Sequence, residues 1–476
     1  MMTKAVVLGG GMAGMLAASV LAERVDRVTI VESDTFPGGP QARRGLPQGH
    51  HFHMFMGGGV DALDELLPGM SDALYLAGAH RRRFGDEFLG VSGNGWGRPY
   101  DGRAYVLACS RPLLDHMVRT RVLADDRIEV LPATKAIGLL GDRTRVTGVR
   151  VESSDRSRAG AGGLGIAADL VIDATGRTSH APEWLTELGA PRVHMDTQDA
   201  GFAYAGRTYE APTGAGVDFP AILVQADAGT GRPGRGGGIL PNEDGRWIVA
   251  MIGTRGGHPP TDEAGYLEYA RGLADPLIGE LLAAARPVTE IRAYRGLVNQ
   301  RRYYDRLPVP EGFLVVGDAA MTLNPNYATG MSMAAFGALE LRDELGRHGL
   351  TGDLTRRVQT AIGKAGSVSW LAATTNDSWF PGSEANFKLR GAKAQKGFVQ
   401  RWNRVAAENA DVARATYEVA TFLAPRKAMM TLPLMLTVMR GPRLPQLTLD
   451  EAIRSYPNFA DPLAKLDLGV GVPGAR

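Results

Sequence analysis

Apolar residues open the chain in a short run, Ala5 to Leu8, which stops at Gly9-Gly10-Gly11-Met12-Ala13-Gly14 and resumes as an apolar helix. A second run, Val28 to Val31, follows that helix and ends on Glu32. This pattern predicts strand, glycine turn, helix and strand in the order of a dinucleotide-binding βαβ unit. Gly9 makes the tight turn, Gly11 leaves room for a pyrophosphate, and Gly14 lets the helix lie close to the strand. The phosphates would meet the helix start at Met12 and Ala13, where unpaired N–H groups and the helix dipole favour an anion. Glu32 falls 18 residues after Gly14, placed to accept hydrogen bonds from a ribose. An acid there favours an unphosphorylated ribose, as in FAD or NAD, over NADP.

Further along, Ser110-Arg111-Pro112 reads as a helix entry with a serine cap and proline in the first turn. Arg111 is a cation at the wrong end of a helix dipole, which a nearby phosphate would explain and plain solvent exposure would explain equally. Strands are expected at Ile128 to Leu131, Val146 to Val151 and Leu170 to Ile172, with Ser153 to Gly165 as an exposed connector. The last of these runs into Asp173-Ala174-Thr175-Gly176. From Asp199 to about Arg302 the pattern turns to alternation, which predicts an antiparallel sheet interrupted by a helix near Tyr266 to Leu282. Phe202, Tyr204, Ile239, Trp247 and Val249 are expected to give that sheet one apolar face along a ligand cavity. A buried strand, Phe313 to Val316, then leads to Gly317-Asp318, a loop through Asn324-Pro325-Asn326-Tyr327-Ala328-Thr329, and a helix opening at Gly330-Met331. The remainder reads as helical, with a Met-rich stretch, Met429 to Met439, as a candidate cover for the cavity.

Composition narrows the class. Lys+Arg 53 against Asp+Glu 51 leaves a net charge of +2, so no overall field recruits nucleic acid or an anionic membrane. The single cysteine, Cys109, excludes an intramolecular disulfide, suits a reducing cytoplasm and reads as packing volume. No signal peptide precedes the first strand, and the longest uncharged segment near the C-terminus, Ala428 to Met439, is 12 residues and too short for a transmembrane span. His50-His51-Phe52-His53 has no matching ligand spacing, so no metal is expected and the cluster reads as a helix start beside a cofactor.

Four separated features together resemble the flavoprotein monooxygenases of the para-hydroxybenzoate hydroxylase type. They are Gly9 to Glu32, Arg111 in its S-R-x-x-L segment, Asp173 to Gly176, and Gly317-Asp318, whose aspartate binds the ribityl chain in that family. The segments Arg44 to His53, Asp173 to Trp184 and Pro325 to Met331 look most like the polyether ionophore epoxidases, such as the monensin and lasalocid epoxidases. The chain departs from their P-x-Y-G-Q-G-M segment, reading Pro325-Asn326-Tyr327-Ala328-Thr329-Gly330-Met331.

The resemblance implies an α/β fold: a Rossmann-like FAD-binding domain (residues 1–80, 105–185 and 305–350), an antiparallel substrate domain (81–104 and 186–304) and a helical C-terminal region (351–476). It implies FAD held by Gly9, Gly11, Met12, Ala13, Gly14, Glu32, Arg43, Arg44, Arg111, Gly317, Asp318, Gly330 and Met331. Arg43 is the candidate catalytic residue, positioning the flavin or its peroxide. Reducing equivalents would come from NAD(P)H directly or through a flavin reductase, with molecular oxygen as co-substrate and a flavin C4a-hydroperoxide as oxidant. The implied reaction is epoxidation of a hydrophobic linear polyene in polyether antibiotic biosynthesis. A phenol hydroxylase is the alternative; a halogenase lacks its W-x-W-x-I-P signature here, and a non-enzymatic carrier would hold no FAD.

Overall fold

In the computed structural model, which describes residues 2–154, 163–215 and 219–456, strand Lys4–Leu8 is the centre of a five-stranded parallel sheet. The sheet order is Phe313–Val315, Leu170–Asp173, Lys4–Leu8, Arg27–Val31 and Ile128–Leu131. These strands are short continuous apolar runs, as expected of a sheet covered on both faces. One face carries helix Met12–Ala22, apolar all round because it is wedged between the sheet and helix Gly330–His348. The other carries a three-stranded antiparallel sheet, Thr134–Gly141, Val146–Ser153 and Leu164–Ala167, through a core containing Val6, Leu139, Val149 and Phe313. The predicted connector at 153–165 joins two of its strands; its residues 155–162 lie outside the described residues.

The exposed edge at Phe313–Val315 is capped. Gln359, on helix Leu354–Asp377, accepts from the Val315 N–H at 2.6 Å and donates to its carbonyl at 3.1 Å, closing a row that would otherwise template further strands.

The expected antiparallel sheet is built from Met195–Glu210, Ala221–Val224, Arg235–Pro241, Arg246–Gly253 and Arg292–Arg302, with Phe88–Ser92 added in parallel beside Ala221–Val224. Segment 81–104 therefore divides: His80–Arg83 pairs with Tyr105–Ala108, while Phe88–Ser92 joins the large sheet. The single helix expected near Tyr266 to Leu282 is two helices, Glu263–Arg271 and Leu277–Ala284, separated by Asp275-Pro276.

The sheet's faces are a correction to the sequence reading. Tyr204 pairs with Ile252, and Gly206 with Ala250, so these positions share a face. Ile239, Trp247 and Val249 point the other way and pack with Met251, Tyr266 and Ile278 under the two helices. Alternation assigns side chains to two faces without saying which one carries helices, and here the bulkiest residues serve the helix side.

Beyond residue 377 the chain forms helices Ala392–Ala406, Ala410–Ala420, Leu432–Arg440 and Leu449–Ser455. Residues 457–476 of the expected helical region lie outside the described residues. No helix among the described residues is long and apolar enough to cross a membrane.

Candidate active site

The carboxyl ends of the parallel strands open into a cleft of about 1100 Å³, the place where sheets of this kind take ligands. Its opposite wall is the antiparallel sheet, through Tyr204, Gly238, Ala250 and Ile252, and Val399, Gln400 and the exposed Arg404 line it as well. A single drug-sized ligand uses roughly 300–1,000 Å³, so this space suits a dinucleotide with a second molecule beside it.

The glycine turn shows why three glycines are needed. A Cβ on Gly14 would stand 1.9 Å from the Gly9 carbonyl oxygen, and one on Gly9 2.7 Å from that of Ala174. These two hold helix, strand and the Asp173 loop together. Gly11 differs: its φ of −81° suits any residue, and a Cβ there meets nothing within 4 Å. The space that Gly11 preserves belongs to the cleft. Glu32 is buried at the end of the neighbouring strand, accepting from the Gly10 N–H at 2.8 Å and the Asp34 N–H at 2.9 Å.

Arg111 resolves its own puzzle. Solvent exposure does not explain it, since it is only 7% exposed, and its Nε has no hydrogen-bond partner. A buried, incompletely partnered cation is costly. It lines the cleft at the start of helix Arg111–Val122, where Ser110 caps the helix by accepting from Leu113 N–H at 3.3 Å. Asp318 lies in the same cleft, and burial raises its carboxyl above the ordinary range against the opposing pull of Arg111 and Arg177. Gly317, Asp318, Gly330 and Met331 form the cleft floor beyond, with the Asp318 carboxylate 3.8 Å from the Cβ position of Gly330. Open space at Gly11, the orphaned Arg111 nitrogen and a fresh helix N-terminus at Gly330 together fit FAD.

Two expected residues are placed differently. Arg44 is exposed and contributes nothing to the cleft wall; in this irregular loop it faces solvent while Arg43 turns inward. Arg43 is buried, but its guanidinium is held by Glu32 at 3.3 Å, Asp115 at 3.4 Å and the Gly10 carbonyl at 2.9 Å. Glu32 ends a strand three places across the sheet from the one leading to Asp318, about 14 Å at the usual strand spacing. Arg43 therefore sits at the Glu32 end of the cleft with its guanidinium engaged by protein groups, which suits holding Glu32 in place. Gly14 is buried behind the cleft as a packing glycine. The Met429 to Met439 stretch also lies away from the cleft, with Met429 and Met435 packed beside Trp402 and Val412.

The histidine cluster read as a helix start beside a cofactor lies on the cleft wall instead of opening a helix. His51 and His53 stand on an extended segment ahead of helix Gly57–Leu66 and line the cleft. Burial lowers the His51 pKa to about 4, and burial with the Arg111 charge lowers that of His53 to about 3. Between pH 4 and 6.5 the folded chain therefore holds fewer protons than the unfolded one at these positions. Their contribution to stability is complete above pH 6.5 and is lost as pH falls towards 4. The urea midpoint is expected to drop between pH 7 and pH 5, and His53→Gln to reduce that drop; an equal drop in the variant would refute the assignment.

The loop before Gly330 carries a second buried polar group. Tyr204 donates to Asn324 Oδ1 at 3.1 Å, the Asn324 N–H donates to Asn299 Oδ1 at 2.7 Å, and Asn299 Nδ2 donates to Asp377 at 2.7 Å. Tyr327 donates to the other oxygen of Asp377 at 2.5 Å. Asp377 is 1% exposed and burial raises its pKa to about 6. Beside it Ala328 adopts φ 49°, a left-handed conformation that costs an ordinary residue about 1–2 kcal/mol. Ala328→Gly is expected to raise unfolding stability by about 1 kcal/mol, read from denaturant midpoints.

The chain matches the FAD dependent oxidoreductase family over residues 5–182. It is 32% identical over 394 residues to Protein Rv3254 of Mycobacterium tuberculosis, an alignment spanning 79% of this chain and 80% of that protein. Among solved structures, a flavoprotein/dehydrogenase from Cytophaga hutchinsonii superposes with a TM-score of 0.65 at 15% identity, covering 92% of this chain and 99% of that one. The p-nitrophenol 4-monooxygenase PnpA from Pseudomonas putida DLL-E4 superposes at 0.59 with 17% identity, covering 93% and 100%. At such identities the two structures establish the fold.

Proposed function

The chain belongs to the FAD-dependent oxidoreductase family, and from that premise we propose that it is a flavin-dependent monooxygenase that epoxidises alkenes of a linear polyene. The observation that carries this reading is the apolar wall on the cleft's substrate side. Its wall towards the antiparallel sheet is formed by Leu223, Val224, Ala250, Ile252 and Phe380. Of the ionisable side chains nearest this wall, burial keeps His51 neutral and raises the Tyr204 and Tyr327 hydroxyls well above the usual phenol range, while Asp227 and the exposed Arg404 line the cleft beyond it. An alkene needs no base to become a nucleophile, whereas ring hydroxylation gains from removing the phenol proton.

When bound, FAD supplies the redox chemistry that activates oxygen. The chain's residues bind and orient. Glu32 accepts from the ribose hydroxyls, with Arg43 holding its carboxylate in place. Arg111 and the N–H groups at Met12 and Ala13 would hold the pyrophosphate, Asp318 would accept from the ribityl chain, and the Gly330 and Met331 N–H groups would be available to the ring. The apolar wall excludes water from the space where substrate lies.

A phenol hydroxylase is the second reading, favoured by Tyr327, which lines the cleft and donates to the Asp377 carboxylate at 2.5 Å, so that a phenol proton taken up by the Tyr327 hydroxyl is matched by one passed to Asp377. To separate them, FAD-loaded protein with NAD(P)H or a flavin reductase is supplied with heavy-isotope dioxygen and either a linear polyene or a simple phenol. The expected product is polyene carrying one heavy oxygen per epoxide, with the phenol unchanged. Ring hydroxylation without transfer to any alkene would overturn the epoxidase reading.

A further inference from the structure

The small net charge of the whole chain conceals a local imbalance. Residues 388–443 hold eleven Lys and Arg against three Asp and Glu, and residues 419–449 contain Arg426, Lys427, Arg440 and Arg443 with no acid at all. These four cations are exposed and form no ion pair among the described residues. Between them runs helix Leu432–Arg440, whose inward face, including Met435 and Val438, packs on Trp402 and Val412. Its outward face is apolar as well: Leu432 is 71% exposed and Met439 60%, with Leu436 between them at helical spacing. Met430, at 67%, and Leu444, at 52%, are exposed just before and just after it in the chain. A helix that is apolar all round belongs in an interior, yet half of this one meets water.

We propose that this surface seats the enzyme on an anionic lipid bilayer, with Leu432, Leu436 and Met439 entering the headgroup boundary and the four cations meeting lipid phosphates and carboxylates. Apolar side chains ringed by Lys and Arg are the arrangement of an interfacial helix. Charge decides against a second copy of this chain as the occupant, since a twofold contact would bring each unpaired cation group against its own equivalent. The position relative to the cleft also fits. Helix Ala392–Ala406 contributes Val399, Gln400 and the exposed Arg404 to the cleft lining, and its Arg401 donates to the Met439 carbonyl at 3.1 Å. Seating this surface on a bilayer brings the helix that carries part of the cleft lining close to the lipid. The docking itself does not depend on which substrate is oxidised.

The test is flotation of the full-length, FAD-loaded protein with vesicles of phosphatidylcholine alone and of two parts phosphatidylcholine to one part phosphatidylserine. Binding to the second is expected to exceed the first by roughly tenfold or more and to fall with added salt. The variant Leu432→Ser/Leu436→Ser/Met439→Ser should lose flotation while retaining flavin content and thermal midpoint. Arg426→Gln/Lys427→Gln/Arg440→Gln/Arg443→Gln should lose the preference for phosphatidylserine. Equal flotation with both vesicles would overturn the proposal. So would no flotation at all, whether the protein sediments as a monomer or as a dimer that the serine variant dissociates.

Discussion

Gly11→Val is expected to fold as well as the natural chain and to be purified without flavin. The backbone at Gly11 is extended and its Cβ direction is empty, so the substitution meets no protein atom. Its cost to the apo-protein is the poorer helix cap, about 1 kcal/mol. The valine side chain would project into the space assigned to the pyrophosphate, and the expected loss of FAD affinity is about 100-fold or more, near 3 kcal/mol. Gly14→Ala is the control with the opposite meaning. Its methyl would lie 1.9 Å from the Gly9 carbonyl oxygen, so backbone must move, and about 3 kcal/mol or more of stability should be lost with or without ligand. Thermal midpoints of both apo-proteins with FAD titrations separate the two. An equally destabilised Gly11→Val would show that the open space is structural.

Arg111→Met carries the second large effect, and its sign is diagnostic. In the apo-protein the buried guanidinium is an incompletely partnered charge, so an apolar side chain of similar length should leave the thermal midpoint unchanged or raise it. FAD affinity should fall by about 1.5–3 kcal/mol, the usual worth of a hydrogen bond to a charged group. A residue kept only for the fold would show the reverse, a lower midpoint and unaltered binding.

How far the sequence disclosed these features depends on whether a residue's task is local. The glycine turn and Glu32 were legible because each requirement is set by neighbours in the same βαβ unit. The Asp173 loop and Gly317-Asp318 were legible as strand ends that turn on glycine. Arg43 and Arg44 were indistinguishable in sequence, since only the fold decides which of two adjacent loop side chains turns inward towards Glu32 and Asp115. The apolar face of the large sheet was misassigned for a similar reason: Ile239, Trp247 and Val249 alternate correctly, but the helices that bury them come from residues 263–284. His51 and His53 were legible as a cluster beside a cofactor, but not as neutral groups. Their neutrality arises from burial and from Arg111, distant in the chain. The polar group around Asp377 likewise joins residues from four separated segments.

The central claim is that the unit from Gly9 to Glu32, with Arg111 and Asp318, holds one FAD in the cleft. It is tested most directly by calorimetric titration of the natural apo-protein with FAD and, in parallel, with FMN, which carries the same ring and ribityl chain but lacks the adenosine half. The account predicts one FAD per chain and affinity for FMN weaker by about 100-fold or more, because Glu32 addresses the ribose that FMN lacks and Gly11 and Arg111 a pyrophosphate of which FMN keeps only one phosphate. Equal affinity for the two, or a folded protein that takes up neither, would contradict it.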